Sequence, residues 1–344
     1  MLTERQSRIL EFVIRDYVES AVPAASQAIG RKYQVGVSPA TIRSEMAELE
    51  AQGYLRQPHT SAGRVPTEQG YRFYVGWLMQ EEELPWEMQQ TIRHQFHQLG
   101  SEQESWVHLA ASVLAKSAQN AAVVTKPHSS SCQIKHLELV SLHDHTALLV
   151  LVLDQGRLKQ EVLTLAEPST QDELSVVAGR LNRLFAGSNA REAVATPELT
   201  LLERQVMEAV EAIMRAVDDG GFDEAYLEGL RHVLSQPEFS SSERALDLLE
   251  LLDERNLART IPFRALAGEG VTVIIGADNP RLAQAGEAIR ECSVVVSSYG
   301  ASGGASGALA VLGPMRMRYS HTISTVRYLA TLMGELLAEN YTGE

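Results

Sequence analysis

Thr41, Arg43 and Ser44 lie within four positions of one another, with Ser38 and Ala40 just ahead of them. This mixture suits the reading of base edges: small residues let a backbone lie close to a DNA groove, and Arg or Thr reaches a donor or acceptor. Twenty residues on, His59, Ser61 and Arg64 sit in a run of small polar residues, His59-Thr60-Ser61-Ala62-Gly63-Arg64. A loop of that kind can touch phosphates or a minor groove. Arg31, Lys32 and Arg56 are further cations placed to hold phosphates.

Other groupings carry less chemistry. Gly300-Ala301-Ser302-Gly303-Gly304-Ala305-Ser306-Gly307 lacks the Lys of a phosphate-binding loop and leads into an apolar run, so it reads as a hairpin between strands. His143-Asp144-His145, with His136, has ligand spacing but no accompanying Cys or carboxylate cluster, and reads as a turn. His94 and His97 read as surface. Ser302 and Ser306 have no nucleophile elbow. Cys132 and Cys292 stand far apart without a CxxC pair, as buried thiols of a reducing cytoplasm would. No enzyme constellation, cofactor or metal is expected, nor any leader or membrane span.

The elements that position the first group are punctuated in the sequence. Ser38 is placed to cap a helix, Pro39 to occupy its first turn and Gly53 to end it. Ile42, Met46 and Leu49 recur on one stripe, leaving Ala40, Ser44 and Ala47 opposite. Upstream, Thr3 and Gln6 can form a capping box for a helix from Thr3 to about Ser20. Ser26 can cap a short helix that runs to Tyr33. Leu55-Arg56 and Val65-Pro66-Thr67 are short strands around the polar loop, so helices two and three with this ribbon predict a winged helix-turn-helix over 1–80. Charge agrees: the chain carries −14, but residues 1–79 hold nine Lys/Arg and eight Asp/Glu, so the acidity lies elsewhere.

Several blocks resemble the heat-inducible transcription repressor HrcA family: Leu2-Thr3-Glu4-Arg5-Gln6, Ser38-Pro39-Ala40-Thr41-Ile42-Arg43, His59 to Thr67, Gly70-Tyr71-Arg72-Phe73-Tyr74-Val75 and Gly313-Pro314-Met315-Arg316-Met317-Arg318-Tyr319-Ser320. Ser44 departs from the Asn that the resemblance implies. The rest of the chain reads as α+β: helix over 81–120 as a connector, strands over 134–165, helix over 168–262, then strands at Val271–Ile275, Ser293–Ser298 and Ala308–Leu312 and a closing helix. Leu246, Leu248, Leu249, Leu251 and Leu252 mark either a packed helix or a dimer face. The resemblance implies a GAF-like domain over 121–167 and 266–344, interrupted by a mainly helical dimerisation subdomain at 168–265. It also implies a homodimer, an inverted-repeat operator in double-stranded DNA near chaperone genes, and modulation by the chaperonin GroEL. The alternative is a regulator whose sheet domain senses a small molecule.

Overall fold

The computed structural model describes residues 2–59, 62–80, 82–99, 103–129, 132–189, 199–219, 225–252, 261, 270–278, 291–300 and 305–341. The chain is α+β and divides into two units: one of 1–127, 223–300 and 307–344, the other of 128–222 and 301–306.

The first unit opens with α1 (Glu4–Ser20), α2 (Ser26–Tyr33) and α3 (Pro39–Ala51). Thr3 and Gln6 form the expected capping box on α1. Ser26 is not the cap of α2. It is the first helical residue, behind Ala25, which has no side chain to offer the free N–H groups. Ile9, Leu10, Val13 and Ile14 of α1 meet Ile29, Ile42, Met46 and Leu49 in one fully buried cluster. Gly30 lets α2 approach α3, since a Cβ there would stand 3.1 Å from Ile42 Cδ1. Strands β1 (Leu55–Arg56) and β2 (Val65–Pro66) pair antiparallel, Leu55 with Pro66 and Arg56 with Val65. Ala24 and Arg64 extend this ribbon through two mutual hydrogen bonds of 2.9 and 3.0 Å. Thr67 caps α4 (Glu68–Phe73), which ends in a π turn over Tyr74–Leu78 rather than continuing to Gln80.

Helices α5 (Trp86–Gln98) and α6 (Gln103–Ala118) follow, then β3 (Ala121–Thr125). The region expected as a connector is part of the body. Trp106, Val107, Ala110, Ala111 and Leu114 of α6 are buried in the same cluster as the sheet residues Ala122 and Val124. An apolar stripe must be covered, and here the sheet covers it.

The second unit starts with β4 (His128–Ser129) and holds β5 (Ile134–His143), β6 (Thr146–Leu153), β7 (Leu158–Thr164), α7 (Gln171–Phe185) and α8 (Leu201–Asp219). Its three long strands form their own antiparallel sheet, ordered β5-β6-β7. Leu137, Leu139, Leu149 and Leu151 share a face and join Leu174, Leu181, Val206 and Val210 of the two helices in a separate core. Of the strands over 121–167, expected to share one sheet with 266–344 around a helical insert at 168–265, β5, β6 and β7 instead form this sheet of their own, while β3 pairs with the strand at Ala305–Pro314. Tight turns at Asp144-His145 and Asp154–Gly156 let the meander pair with itself at little loop-closure cost.

The first unit resumes with β8 (Ala225–Glu228), α9 (Leu230–Leu234), α10 (Ser242–Leu251), β9 (Val271–Ile275), β10 (Cys292–Gly300), β11 (Ala305–Pro314) and α11 (Tyr319–Tyr341). Strand β8 falls in a segment expected to be helical. The sheet runs β8-β3-β11-β10-β9; the β8–β3, β3–β11 and β10–β9 pairs are antiparallel, with Val124 opposite Tyr226, Ala310 opposite Val123 and Val295 opposite Val273. Strands β10 and β11 are buried almost throughout, so they read as apolar runs rather than alternations. Burial pushes the Cys292 thiol up to about 12. Of the leucines on α10 and just after it, Leu248, Leu251 and Leu252 are buried, whereas Leu246 and Leu249 are exposed.

Candidate nucleic-acid interface

Helix α3 is held at its start by Ser38, whose Oγ accepts from the Thr41 N–H at 3.1 Å, with Pro39 in the first turn. Gly53, at φ +83°, takes the left-handed conformation just beyond the end. The sequence placed the stripe correctly: Ile42, Met46 and Leu49 are buried, while Ala40, Arg43, Ser44 and Ala47 are exposed. Thr41 is half-buried, and its hydroxyl lies 3.0 Å from Ser38 Oγ. That one bond leaves the hydroxyl further capacity to donate or accept.

The charges of α3 are sorted by its neighbours. Glu45 takes Arg5 Nε at 2.7 Å, Glu48 takes Gln6 Nε2 at 2.8 Å, and Glu50 takes Arg64 Nε at 2.9 Å. Three carboxylates that would repel phosphate are thus engaged from α1 and the ribbon. Arg43 pairs with no described residue, which leaves it as the free charge of the exposed face. Arg5 and Gln6 could not be read in this role from their own neighbourhood, since their partners lie some forty positions away.

The other expected cations divide. Arg31, in the last turn of α2, and Arg56, on β1, are exposed and form no ion pair with described residues. Lys32 is exposed but engaged: Glu19 at 2.7 Å and Asp16 at 2.9 Å hold its ammonium, and both raise its pKa. Arg64 is engaged as well. It is not a free loop-tip cation, because its side chain is only 16% exposed and lies on Glu50. His59 is exposed, with the Ala62 N–H donating to its carbonyl at 2.9 Å. Ser61 lies outside the described residues. Arg8, absent from the expected set, is exposed and unpaired among described residues, and lines a cleft of about 370 Å³ with Thr3, Glu4, Arg5 and Val35.

The described members of the set-aside groupings make local contacts or lie exposed. His136 reaches Glu138 at 3.4 Å, and His145 lies 3.3 Å from the Leu165 carbonyl. His94 and His97 are exposed on α5. Of the run Gly300–Gly307, residues 301–304, Ser302 among them, lie outside the described residues, and Ser306 lies on β11 opposite His128. Among the described residues, no three His, Cys, Asp or Glu side chains are grouped to hold a metal, and no helix is long and apolar enough to cross a membrane.

The family model for the HrcA protein C-terminal domain matches residues 104–323. The heat-inducible transcription repressor HrcA of Roseiflexus castenholzii is 43% identical over 99% of this chain and 96% of its own. That of Herpetosiphon aurantiacus is 41% identical over 99% and 96%, and that of Dehalococcoides mccartyi 37% over 99% and 97%. A crystal structure of a hypothetical protein shares the fold, with a TM-score of 0.56 at 21% identity over 98% of each chain. The class these findings define is the transcription repressor, not the enzyme. Within that class the chain belongs to the heat-inducible transcription repressor HrcA family.

Proposed function

We propose that the chain represses chaperone and chaperonin genes by binding an inverted-repeat operator as a homodimer, with residues 1–80 acting as a winged helix. The observation that carries this is the sorted charge of α3: its acids are engaged from behind while Arg43 faces outward beside Ala40, Ser44 and Ala47. In this reading α3 enters the major groove, with Arg43 and Ser44 at base edges and Ala40 allowing close approach. Ser38 and Thr41 meet the backbone at the helix start, where free N–H groups suit a phosphate. Arg31, Arg56 and Arg8 hold further phosphates, and His59 and Ser61 serve from the ribbon loop.

A palindrome calls for a second copy, and the second unit offers a surface for it. Opposite its core, the three-stranded sheet presents Val140, Leu148, Val152, Leu158 and Val162, of which Val140, Leu158 and Val162 are 40, 55 and 58% exposed. An apolar sheet face of that kind is the expected mark of an interface. The β8-β3-β11-β10-β9 sheet then forms the GAF-like body. Loss of repression on heating needs only marginal stability, since about 1 kcal/mol moves the midpoint of a 150–250-residue domain by roughly 2–4 °C. The chaperonin enters by refolding the repressor and is withdrawn when other clients occupy it.

A gel shift tests the reading, using an inverted-repeat operator from a chaperonin promoter and random duplex, with and without chaperonin. Wild type should prefer the operator. Arg43→Ala should lose about 1–3 kcal/mol of that preference with an unchanged circular dichroism spectrum. An equal loss on both duplexes would put Arg43 on phosphate alone, and no wild-type preference would remove the reading.

A further inference from the structure

The run Gly313–Ser320 has no part in the surface described so far, yet it holds a connected arginine. Arg316 lies between β11 and α11, with its side chain only 11% exposed. Its Nε reaches Glu238 Oε1 at 2.7 Å, and Nη2 reaches Gln236 Oε1 at 2.6 Å and Glu238 Oε2 at 3.2 Å. Its Nη1 donates to the Val18 carbonyl at 3.1 Å. Val18 is in the last turn of α1, where carbonyls lack intrahelical partners and a cation is favoured by the helix dipole. One planar guanidinium therefore joins the end of α1 to two side chains of the segment between α9 and α10.

Helix α1 acts as a shaft between this joint and α3. Its opposite end carries Arg5 and Gln6, which grip Glu45 and Glu48 of α3. From Gln6 to Val18 is twelve residues, about 18 Å along the axis. A tilt of roughly 10° about the Arg316 end would move α3 by about 3 Å, close to the 3.4 Å rise of one base pair. Another polar tie from the first eighty residues to the body, Arg72 to Asp278 at 2.7 Å, is exposed on both sides and correspondingly weak. Tyr71 packs beside Tyr319 with ring centres 6.0 Å apart, an apolar contact that permits small rotations better than a three-partner fork does.

We propose that Arg316 is a positioning residue which fixes the angle at which α3 is presented, and so sets the half-site spacing the repressor accepts. This rests on the dimeric operator reading above. The test is fluorescence anisotropy on inverted repeats whose half-site spacing changes one base pair at a time, together with a single half-site. Wild type should show a sharp optimum, at least tenfold above its neighbours. Arg316→Ala should flatten that optimum to within about threefold while single half-site affinity stays within twofold, and Arg316→Lys should fall between. Retention of the wild-type optimum in Arg316→Ala, with a uniform drop at every spacing, would overturn the proposal. A second readout needs no DNA: spin labels at Gln52→Cys and Lys116→Cys, with Cys132 and Cys292 buried away from the reagent. Arg316→Ala, and Glu238→Gln as a milder variant, should broaden the distance distribution, and an unchanged narrow distribution in both overturns the proposal. If wild type shows no inverted-repeat preference, the operator reading fails, and the distances still judge the joint.

Discussion

Arg43 is available because Glu45, Glu48 and Glu50 are occupied elsewhere, so the character of α3 is set by residues outside it. Its caps were legible because Ser38, Pro39 and Gly53 act within a turn of their own positions. The ion pairs of Arg64 and Lys32 were not legible because a cation's partner lies far off in sequence: Glu50 is fourteen positions from Arg64, and Asp16 sixteen from Lys32. Local bonding also sets a pH response at α7. The Thr170 N–H and hydroxyl both donate to Glu173, at 2.8 and 3.0 Å, and hold its carboxyl below the usual range. A depressed folded value gives stability that is complete above the unfolded pKa of about 4.3 and is lost as pH falls through the folded one. Glu173→Gln should therefore melt lower than wild type at pH 7, with the gap closing towards pH 3 in thermal scans of both proteins.

At the scale of elements, the ribbon depends on a missing side chain. A Cβ on Gly63 would stand 2.3 Å from the Ala24 carbonyl oxygen and 2.5 Å from that of Pro23. Backbone cannot yield as a flexible side chain does, so Gly63→Ala should break the bridge between Ala24 and Arg64. The expected cost is about 1–3 kcal/mol in urea unfolding, with weaker operator binding as the loop loses its base. Strand β8 was illegible for the opposite reason: only four residues long, it is defined by pairing with β3 about a hundred positions earlier. Helix α6 was legible as a helix but not as a covering layer. Its stripe of Trp106, Val107, Ala110 and Leu114 says that something is buried, not what covers it.

For the whole molecule, alternation located β5, an apolar run β6 and a hairpin turn β7, but these signals could not assign the strands to a sheet. Assignment followed from turns short enough to pair the strands with one another. The outer face of that meander carries the dimer proposal. Val162→Glu should leave the second core intact, because Val162 lies opposite Leu163 in the pleat, and should shift sedimentation towards the monomer. Operator affinity should then fall towards that of one half-site, while wild-type sedimentation in Val162→Glu would move the interface elsewhere. The acidic remainder of the chain, −15 outside residues 1–79, keeps the body off the duplex, so few phosphate contacts and a modest salt slope are expected.

Thr125 and Ala225 are direct register partners at the ends of β3 and β8, and nearly the whole second unit lies between them in sequence. Departure and return points that sit side by side mark a module spliced into a hairpin, the arrangement under which insertions are tolerated. Excising 127–223 and bridging the strands with a short turn should leave a sheet that still melts cooperatively. Under the proposed reading, the address label and the coupling device are separate pieces of chain, so either can be exchanged without redrawing the other.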